Sequence, residues 1–212
     1  MTLGVLRIQK GDNQGGEDKI SEAVGLFQTA GDREGAFSGR MRLARLAIGT
    51  GRFESGERLN EELMEEARRA GDRATELQLL KNRGMLCMYA RRSEEALEIF
   101  ERTIEAHSGT GDLWSVSHTL GCMGNVHFDR EDYRPAVDLY ERSARLCRKV
   151  GNVYSEYYSL YNLALCLVRT GQEDAALARY REVLSLALRL DDRDGAKEIG
   201  GYITELEEKA GI

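Results

Sequence analysis

The chain has 212 residues, of which 42% are hydrophobic and 31% charged, and its formal net charge is −6. No window approaches the ~18–20 apolar residues of a membrane span, and the composition, with one proline, is typical of a helical globular protein. The start of the chain lacks the apolar core of a signal peptide, so we expect a cytoplasmic location. Basic residues are scattered, which disfavours binding of nucleic acids or anionic membranes.

The dipeptide Gly-Asp, or a close substitute, recurs every 40 residues. A fixed period of this length predicts a single helical repeat array, in which each unit buries its apolar face against its neighbours. The copies are Gly31-Asp32, Gly71-Asp72, Gly111-Asp112, Gly151-Asn152 and Asp191-Asp192. They divide residues 1–212 into a partial repeat (1–30), four full repeats (31–70, 71–110, 111–150 and 151–190) and a capping helix (191–212).

The partial repeat opens the chain in the middle of a helix. Counting the period backwards predicts a half helix over about Met1–Gln9, a Gly-rich stretch, and a second helix from Asp18 to Thr29. Such an opening is expected of a fragment of a longer array or of a first helix that another element covers. Because no unit precedes the apolar residues of this helix, we expect self-association or docking through it. These residues are Leu3, Val5, Leu6 and Ile8.

Each full repeat is predicted to be a helix, a turn and a second helix, because its apolar residues follow two runs with a period near 3.6. Asp112 and its equivalents suit the N-cap of the first helix, and Asp132 followed by Pro135 suits the start of a second. Gly11, Gly51 and Gly171 fall at the turn, where a positive φ is needed. Small residues in two columns predict where the paired helices cross. They are Gly4, Ala44, Gly84, Gly124, Ala164 and Thr204 in first helices, and Gly16, Gly56, Ala96, Ala136 and Ala176 in second helices.

The capping helix should turn Glu205, Glu207, Glu208 and Lys209 towards water, as terminal repeats require. The cysteines show no Cys-x-x-Cys spacing and fall within predicted helices, which indicates buried free thiols in a reducing compartment. They are Cys87, Cys122, Cys147 and Cys166.

Catalytic chemistry has little support in the sequence. Of the three histidines, His127 falls at a buried position, His107 lies near a helix end, and only His118 is placed on an open face. No nucleophile motif, phosphate-binding loop or metal-ligand spacing is present in the sequence. We therefore expect a non-catalytic protein without a metal or cofactor.

Three segments carry a resemblance to a known family: "RGMLCMYARRSEEALEIFERT", "MGNVHFDREDYRPAVDLYERS" and "LALCLVRTGQEDAALARYREV". Their small, aromatic and alanine positions resemble tetratricopeptide repeats. The 40-residue length is similar to the long-repeat branch in spindle-orientation adaptors, G-protein-signalling modulators and kinesin light chains. The resemblance implies an all-α, right-handed superhelical solenoid of antiparallel helix pairs. The repeat 31–70 departs most from the pattern, with Gly56 and Asn60 where alanine and an aromatic are expected, so its second helix should pack least well.

In such a solenoid the first helices line a concave face that holds a partner peptide. The resemblance places one asparagine position of the family at Asn125 and another at Asn82 and Asn162, while Cys122 and Met85 break the row. Arg45 and Lys81 would favour an acidic stretch in the partner. The predicted partner-binding residues are Arg45, Gln78, Lys81, Asn82, Met85, Met88, His118, Asn125, Phe128, Tyr158, Tyr161, Asn162 and Leu165.

Three functions fit these observations. The first is an adaptor or scaffold that binds a protein or peptide partner along the concave face. The second is a structural subunit of a cytoplasmic, cytoskeletal or ciliary assembly, contacted through its edges and ends. The third is a regulatory domain that binds a small signalling peptide.

Overall fold

The computed structural model describes residues 13–210, with side chains from residue 17 onward. Within this range the chain forms ten α-helices and no strand, which confirms the predicted all-α class. The helices are α1 (Asn13–Thr29), α2 (Arg33–Gly49), α3 (Phe53–Ala70), α4 (Arg73–Tyr89), α5 (Ser93–Ser108), α6 (Leu113–Asp129), α7 (Tyr133–Val150), α8 (Val153–Arg169), α9 (Glu173–Arg189) and α10 (Arg193–Ala210). None of the described helices has the length and apolarity needed to cross a membrane.

The helices pair as the repeat predicts. The first helices are α2, α4, α6 and α8, each followed by its second helix α3, α5, α7 or α9; α1 is the second helix of the partial repeat, and α10 is the closing helix. The chain divides into two compact units, Met1–Ala106 and His107–Ile212, which we call unit 1 and unit 2. Within each unit, consecutive helices pack against one another.

The start of α1 differs from our prediction. The helix begins at Asn13 rather than Asp18 and so runs through Gly15 and Gly16. Second helices begin at 53, 93, 133 and 173, and 13 keeps this 40-residue register. The helix therefore includes both glycines despite their low helix propensity. The predicted half helix with Leu3, Val5, Leu6 and Ile8 lies outside the described residues.

The Gly-Asp dipeptide ends one helix and starts the next. Gly71 has φ +68°, and the N–H groups of Gly71 and Asp72 donate to the carbonyls of Arg68 and Ala67 at the end of α3. The Asp72 carboxylate then accepts the N–H of Thr75 at 3.1 Å, which caps α4. The same side-chain cap is formed by Asp32, Asp112, Asn152 and Asp192. The predicted N-caps of the first helices are confirmed.

Asp132 occupies the predicted N-cap position of α7, but its side chain makes no capping hydrogen bond. The carboxylate instead lies 3.2 Å from Nε of Arg130. An ion pair with the preceding turn therefore replaces the expected cap. Pro135 lies in the first turn of α7, where a missing N–H is tolerated.

Small residues allow the two helices of a repeat to approach closely. A Cβ built on Gly124 would lie 2.7 Å from Cε1 of Tyr140, and one built on Gly84 would lie 2.5 Å from Cε1 of Phe100. The alanines of the second-helix column, such as Ala136, are fully buried. These contacts confirm the predicted helix crossings of the repeats 71–110 and 111–150. Thr204, in the same column on α10, is exposed, and Gly4 and Gly11 lie outside the described residues.

All four cysteines are buried free thiols, as we predicted. Burial raises the pKa of Cys87 to about 11 and that of Cys166 to about 12. The pKa of Cys147 is also raised by burial. At neutral and mildly alkaline pH these three thiols therefore stay protonated, and a protonated thiol is a poor nucleophile.

Gly124→Leu tests the helix crossing. The larger side chain would collide with the Tyr140 ring, so we expect a loss of roughly 1 to 3 kcal/mol in unfolding free energy. Arg142→Leu, at an exposed position of α7, serves as the control and should change stability little. Thermal and urea melts measure both, and equal losses would show that the helix phase is wrong.

Glu131→Gly tests the turn between α6 and α7. Glu131 has φ +62°, whereas the equivalent residue of the next repeat, Gly171, has φ +73°. Removing the Cβ should relieve left-handed strain and stabilise the fold by about 0.5 to 1 kcal/mol.

The reciprocal change, Gly171→Ala, should destabilise by a similar amount. A Cβ at Gly171 meets no atom within 4 Å, so only the backbone conformation is tested. Urea denaturation compares the two variants with the unaltered chain. A loss of stability in Glu131→Gly would contradict the assignment of strain.

Titration with a thiol-specific reagent at pH 8 tests the burial of the cysteines. The folded protein should react far more slowly than the denatured chain, because the thiols are both covered and protonated. In guanidinium chloride the reagent should detect all four thiols of the sequence. Rapid reaction of the folded protein would contradict the buried assignment.

Candidate functional site

Equivalent positions of α6, α8 and α10 in unit 2 form the candidate site. On α6 the spacing of three and four residues places Trp114, His118, Asn125 and Phe128 on one side of the helix. The same positions on α8 are Tyr154, Tyr158, Leu165 and Val168, and on α10 they begin with Asp194 and Glu198. We call these three sets together the first-helix face of unit 2.

Asn125 is held in a defined orientation on this face. The buried Tyr140 hydroxyl of α7 donates to Oδ1 of Asn125 at 2.7 Å. Nδ2 of Asn162, on α8, lies 3.4 Å from the same oxygen. Because its oxygen is already engaged, half-buried Asn125 can offer its amide N–H groups to a partner.

The Tyr140 hydroxyl owes its position to the close helix crossing described above. Burial of the ring, together with nearby Cys166, Asp129 and Cys122, raises the pKa of Tyr140 far above its usual range. The hydroxyl therefore stays protonated and acts as the donor to Asn125. This contact joins the packed interior of the repeat to the first-helix face.

Several predicted site residues are accessible on this face. Tyr158 is 37% exposed, and its ring meets that of Tyr157 edge-on, with centroids 5.2 Å apart. His118, Phe128 and Leu165 are half-buried. The Phe128 ring contacts Tyr133 edge-on at 5.5 Å. The structure thus brings these residues together with Asn125 in unit 2.

Tyr161, which we predicted to be a partner-binding residue, is buried. Its ring is 4% exposed and packs near those of Tyr180 and Tyr202, with centroid distances of 6.2 and 6.4 Å. Burial raises the pKa of Tyr161, with a further contribution from its hydrogen bond to Tyr202. The ring stabilises the contact between α8, α9 and α10.

Four other predicted residues are also buried. Their helix positions turn towards adjacent helices, so packing within each unit covers them. The four are Lys81, Asn82, Met88 and Asn162. Oδ1 of Asn162 and Nδ2 of Asn82 have no hydrogen-bond partner among the described residues. Of the predicted asparagines, Asn125 is therefore partly exposed, whereas Asn82 and Asn162 are buried.

In unit 1, Arg45 and Gln78 are exposed and Met85 is half-buried. Lys81 is only 7% exposed, so the expected attraction of an acidic partner rests on the arginines of α2. Arg42 is exposed on the same helix.

The most exposed aromatic side chains of unit 2 were not among the predicted site residues. They are Trp114 and Tyr154, at 48% and 64% exposed. They lie one helical turn before His118 and Tyr158, and the indole of Trp114 stacks on the imidazole of His118 with centroids 5.9 Å apart. The 40-residue period carries the signal, since Trp114 and Tyr154 share one repeat position. Extending the face by one turn would have found them.

The remaining histidines lie near acidic groups at the helix ends. His107 Nδ1 is 3.2 Å from Oδ2 of Asp112, and His127 Nδ1 is 3.7 Å from Oδ2 of Asp132. Over residues 13–210, no three His, Cys, Asp or Glu side chains converge as a metal ion would require. His107 thus lies at the turn between two repeats, and His127 at the turn within the repeat 111–150.

Comparison with known proteins identifies the type of repeat. The family described as "Tetratricopeptide repeat" matches residues 115–189. No curated protein matches the chain.

Solved structures extend this likeness beyond the matched segment. The crystal structure of BtubC (BKLC) from P. vanneervenii superposes with a TM-score of 0.76 and 14% identity, over 92% of this chain and 83% of that one. Tetratricopeptide-like repeats of a putative kinesin light chain from Podosopora anserina give a TM-score of 0.60 and 15% identity, over 81% and 94% of the two chains.

A signal-transduction ATPase with a tetratricopeptide-repeat sensor, from Pyrococcus horikoshii, gives a TM-score of 0.67 at 17% identity. The match covers 79% of this chain but only 26% of that protein. At these identities the likeness concerns the fold. Residues 115–189 therefore belong to the tetratricopeptide-repeat family, and the described chain on either side of them has the fold of these repeats.

Proposed function

We propose that the protein is a non-catalytic interaction module that binds an extended or helical segment of a partner protein along its first helices. The observation that carries this proposal is the fixed orientation of Asn125, whose oxygen is held by Tyr140. An amide held in this way can donate to a backbone carbonyl of any sequence without first having to be ordered. The exposed aromatic rings beside it would supply apolar contact.

The composition of the face supports a protein partner. Aromatic side chains are enriched where proteins bind one another, whereas charged side chains are depleted in the centre of such sites. Helix α6 carries one aspartate and neither lysine nor arginine. Helix α8 carries Glu156, which is buried and paired with Arg148, and Arg169 at its last position. The parts of the face on α6 and α8 therefore carry few charges that a partner would have to neutralise.

Unit 1 would favour partner segments of a different charge. Exposed Arg42 and Arg45 on α2 would attract an acidic stretch of a partner. Lys81, being buried, would add little to this attraction. The four free cysteines fit a reducing compartment, so the cytoplasm is the proposed location.

Asn125→Ala and Tyr140→Phe test the proposed role of the amide. Asn125→Ala removes the donor, and we expect it to weaken partner binding by about 1 kcal/mol. Tyr140→Phe leaves the amide in place but frees it to rotate, so binding should weaken to a smaller extent. Partners are captured with the immobilised chain, identified by mass spectrometry, and measured by calorimetry.

Arg142→Leu on α7 is the control, because it changes an exposed residue outside the first helices. Melting curves identify any variant that has lost its fold. If the affinity for every captured partner is unchanged in Asn125→Ala while the fold is intact, binding does not use this face. The edge-contacted scaffold would then be the better hypothesis.

A further inference from the structure

Two positions of the first helices change in character from repeat to repeat. In unit 2 they hold Trp114 and His118 on α6, then Tyr154 and Tyr158 on α8. The equivalent positions of unit 1 hold no aromatic residue. They are Glu34 and Ser38 on α2, and Ala74 and Gln78 on α4. The aromatic pairs are therefore a local feature of unit 2.

On α10 the same two positions hold carboxylates, Asp194 and Glu198. The first-helix face of unit 2 thus runs from an aromatic pair, through a second aromatic pair, to an acidic pair. Contacts along the face show that these helices lie side by side. Asn162 of α8 reaches Asn125 of α6, and the Tyr161 ring of α8 lies 6.4 Å from the Tyr202 ring of α10.

The two carboxylates lack a basic partner within the described part of the chain. Glu198 accepts a hydrogen bond at 2.9 Å from the neutral hydroxyl of Tyr202, and Asp194 lies exposed in the first turn of α10. Two other acidic residues of α10 are paired with basic side chains: Glu205 with Lys209, and Glu207 with Arg181. The acidic pair consequently has no basic side chain to offset its charge, and it occupies the helix positions of α10 that correspond to the aromatic pair of α8.

We propose that the first-helix face of unit 2 selects partner segments that carry an arginine side chain, whose guanidinium stacks on the exposed rings and pairs with Asp194 or Glu198. This inference rests on the proposed peptide-binding function and adds to it the chemistry of the partner. Tryptophan and tyrosine faces attract cations, and arginine is the cation that most often stacks on them. Its planar fork also fits a carboxylate better than a lysine ammonium does.

Negative charge on a partner segment would weaken its binding to unit 2. An acidic segment would meet the unpaired carboxylates and be repelled, so unit 2 would discriminate between basic and acidic sequences. The exposed arginines of α2 give unit 1 the opposite preference. Each unit would thereby read a different type of sequence.

Selection from a displayed library of short random peptides on the full chain tests this proposal. Arginine should be enriched among the selected peptides. Trp114 is the only tryptophan, so its fluorescence reports binding at the face directly. A selected peptide with its arginine changed to glutamine should bind about tenfold more weakly.

Variants of the first-helix face of unit 2 are compared with the unaltered chain for binding of the selected peptide. Tyr158→Gln introduces the residue of the equivalent position in the repeat 71–110, and Glu198→Gln removes one charge without changing shape; each should weaken the arginine peptide severalfold. The double variant Asp194→Lys, Glu198→Lys should reverse the preference towards a peptide with glutamate in place of arginine. Leu188→Ala, at an exposed apolar position of α9, should have no effect.

The outcomes separate this inference from the proposed function. If peptides are selected and depend on Asn125, but show no arginine enrichment and no response to the double lysine variant, the face binds peptides and the arginine inference is wrong. If no peptide is enriched, both are contradicted. Circular dichroism determines whether each variant is folded. If Tyr158→Gln unfolds the protein, the weaker binding of the arginine peptide is tested with Glu198→Gln alone.

Discussion

The close contact between a small residue of one helix and an aromatic ring of its partner sets the geometry of the described repeats. Gly84 faces Phe100, and Gly124 faces Tyr140, at separations that no Cβ could occupy. Interiors packed this densely tolerate little change of volume. The interhelical distance within a repeat therefore follows from the choice of glycine at one column and an aromatic residue at another.

This packing also prepares the candidate site. Because the Tyr140 ring lies flush against Gly124, its hydroxyl emerges beside Asn125 and fixes the amide there. In the repeat 31–70, Asn60 replaces the aromatic residue. Its Nδ2 donates to the carbonyl of Leu79, and its Oδ1 has no hydrogen-bond partner in the described part of the chain. In unit 2 the packing of Tyr140 on Gly124 therefore also determines the orientation of the Asn125 amide.

The sequence predicted the helix pairs and their boundaries well because both depend on local chemistry. Gly71 and Asp72 act through backbone conformation and capping, which are properties of the residues themselves. The first-helix face was harder to predict, since exposure depends on which neighbour covers a side chain. Tyr161 and Tyr158 lie on one turn of α8, yet the aromatic rings of α9 and α10 cover only the former. The sequence periodicity of α8 does not indicate which of its side chains the neighbouring helices cover.

Hydrogen–deuterium exchange of the full chain, with and without a saturating partner peptide, tests the central claim most directly. The claim is that binding uses the first helices of unit 2, positioned by their second helices. Amides of α6 and α8 should gain the largest protection, and those of α7 and α9 should change less. Protection confined to α7 and α9, with α6 and α8 unchanged, would contradict the account.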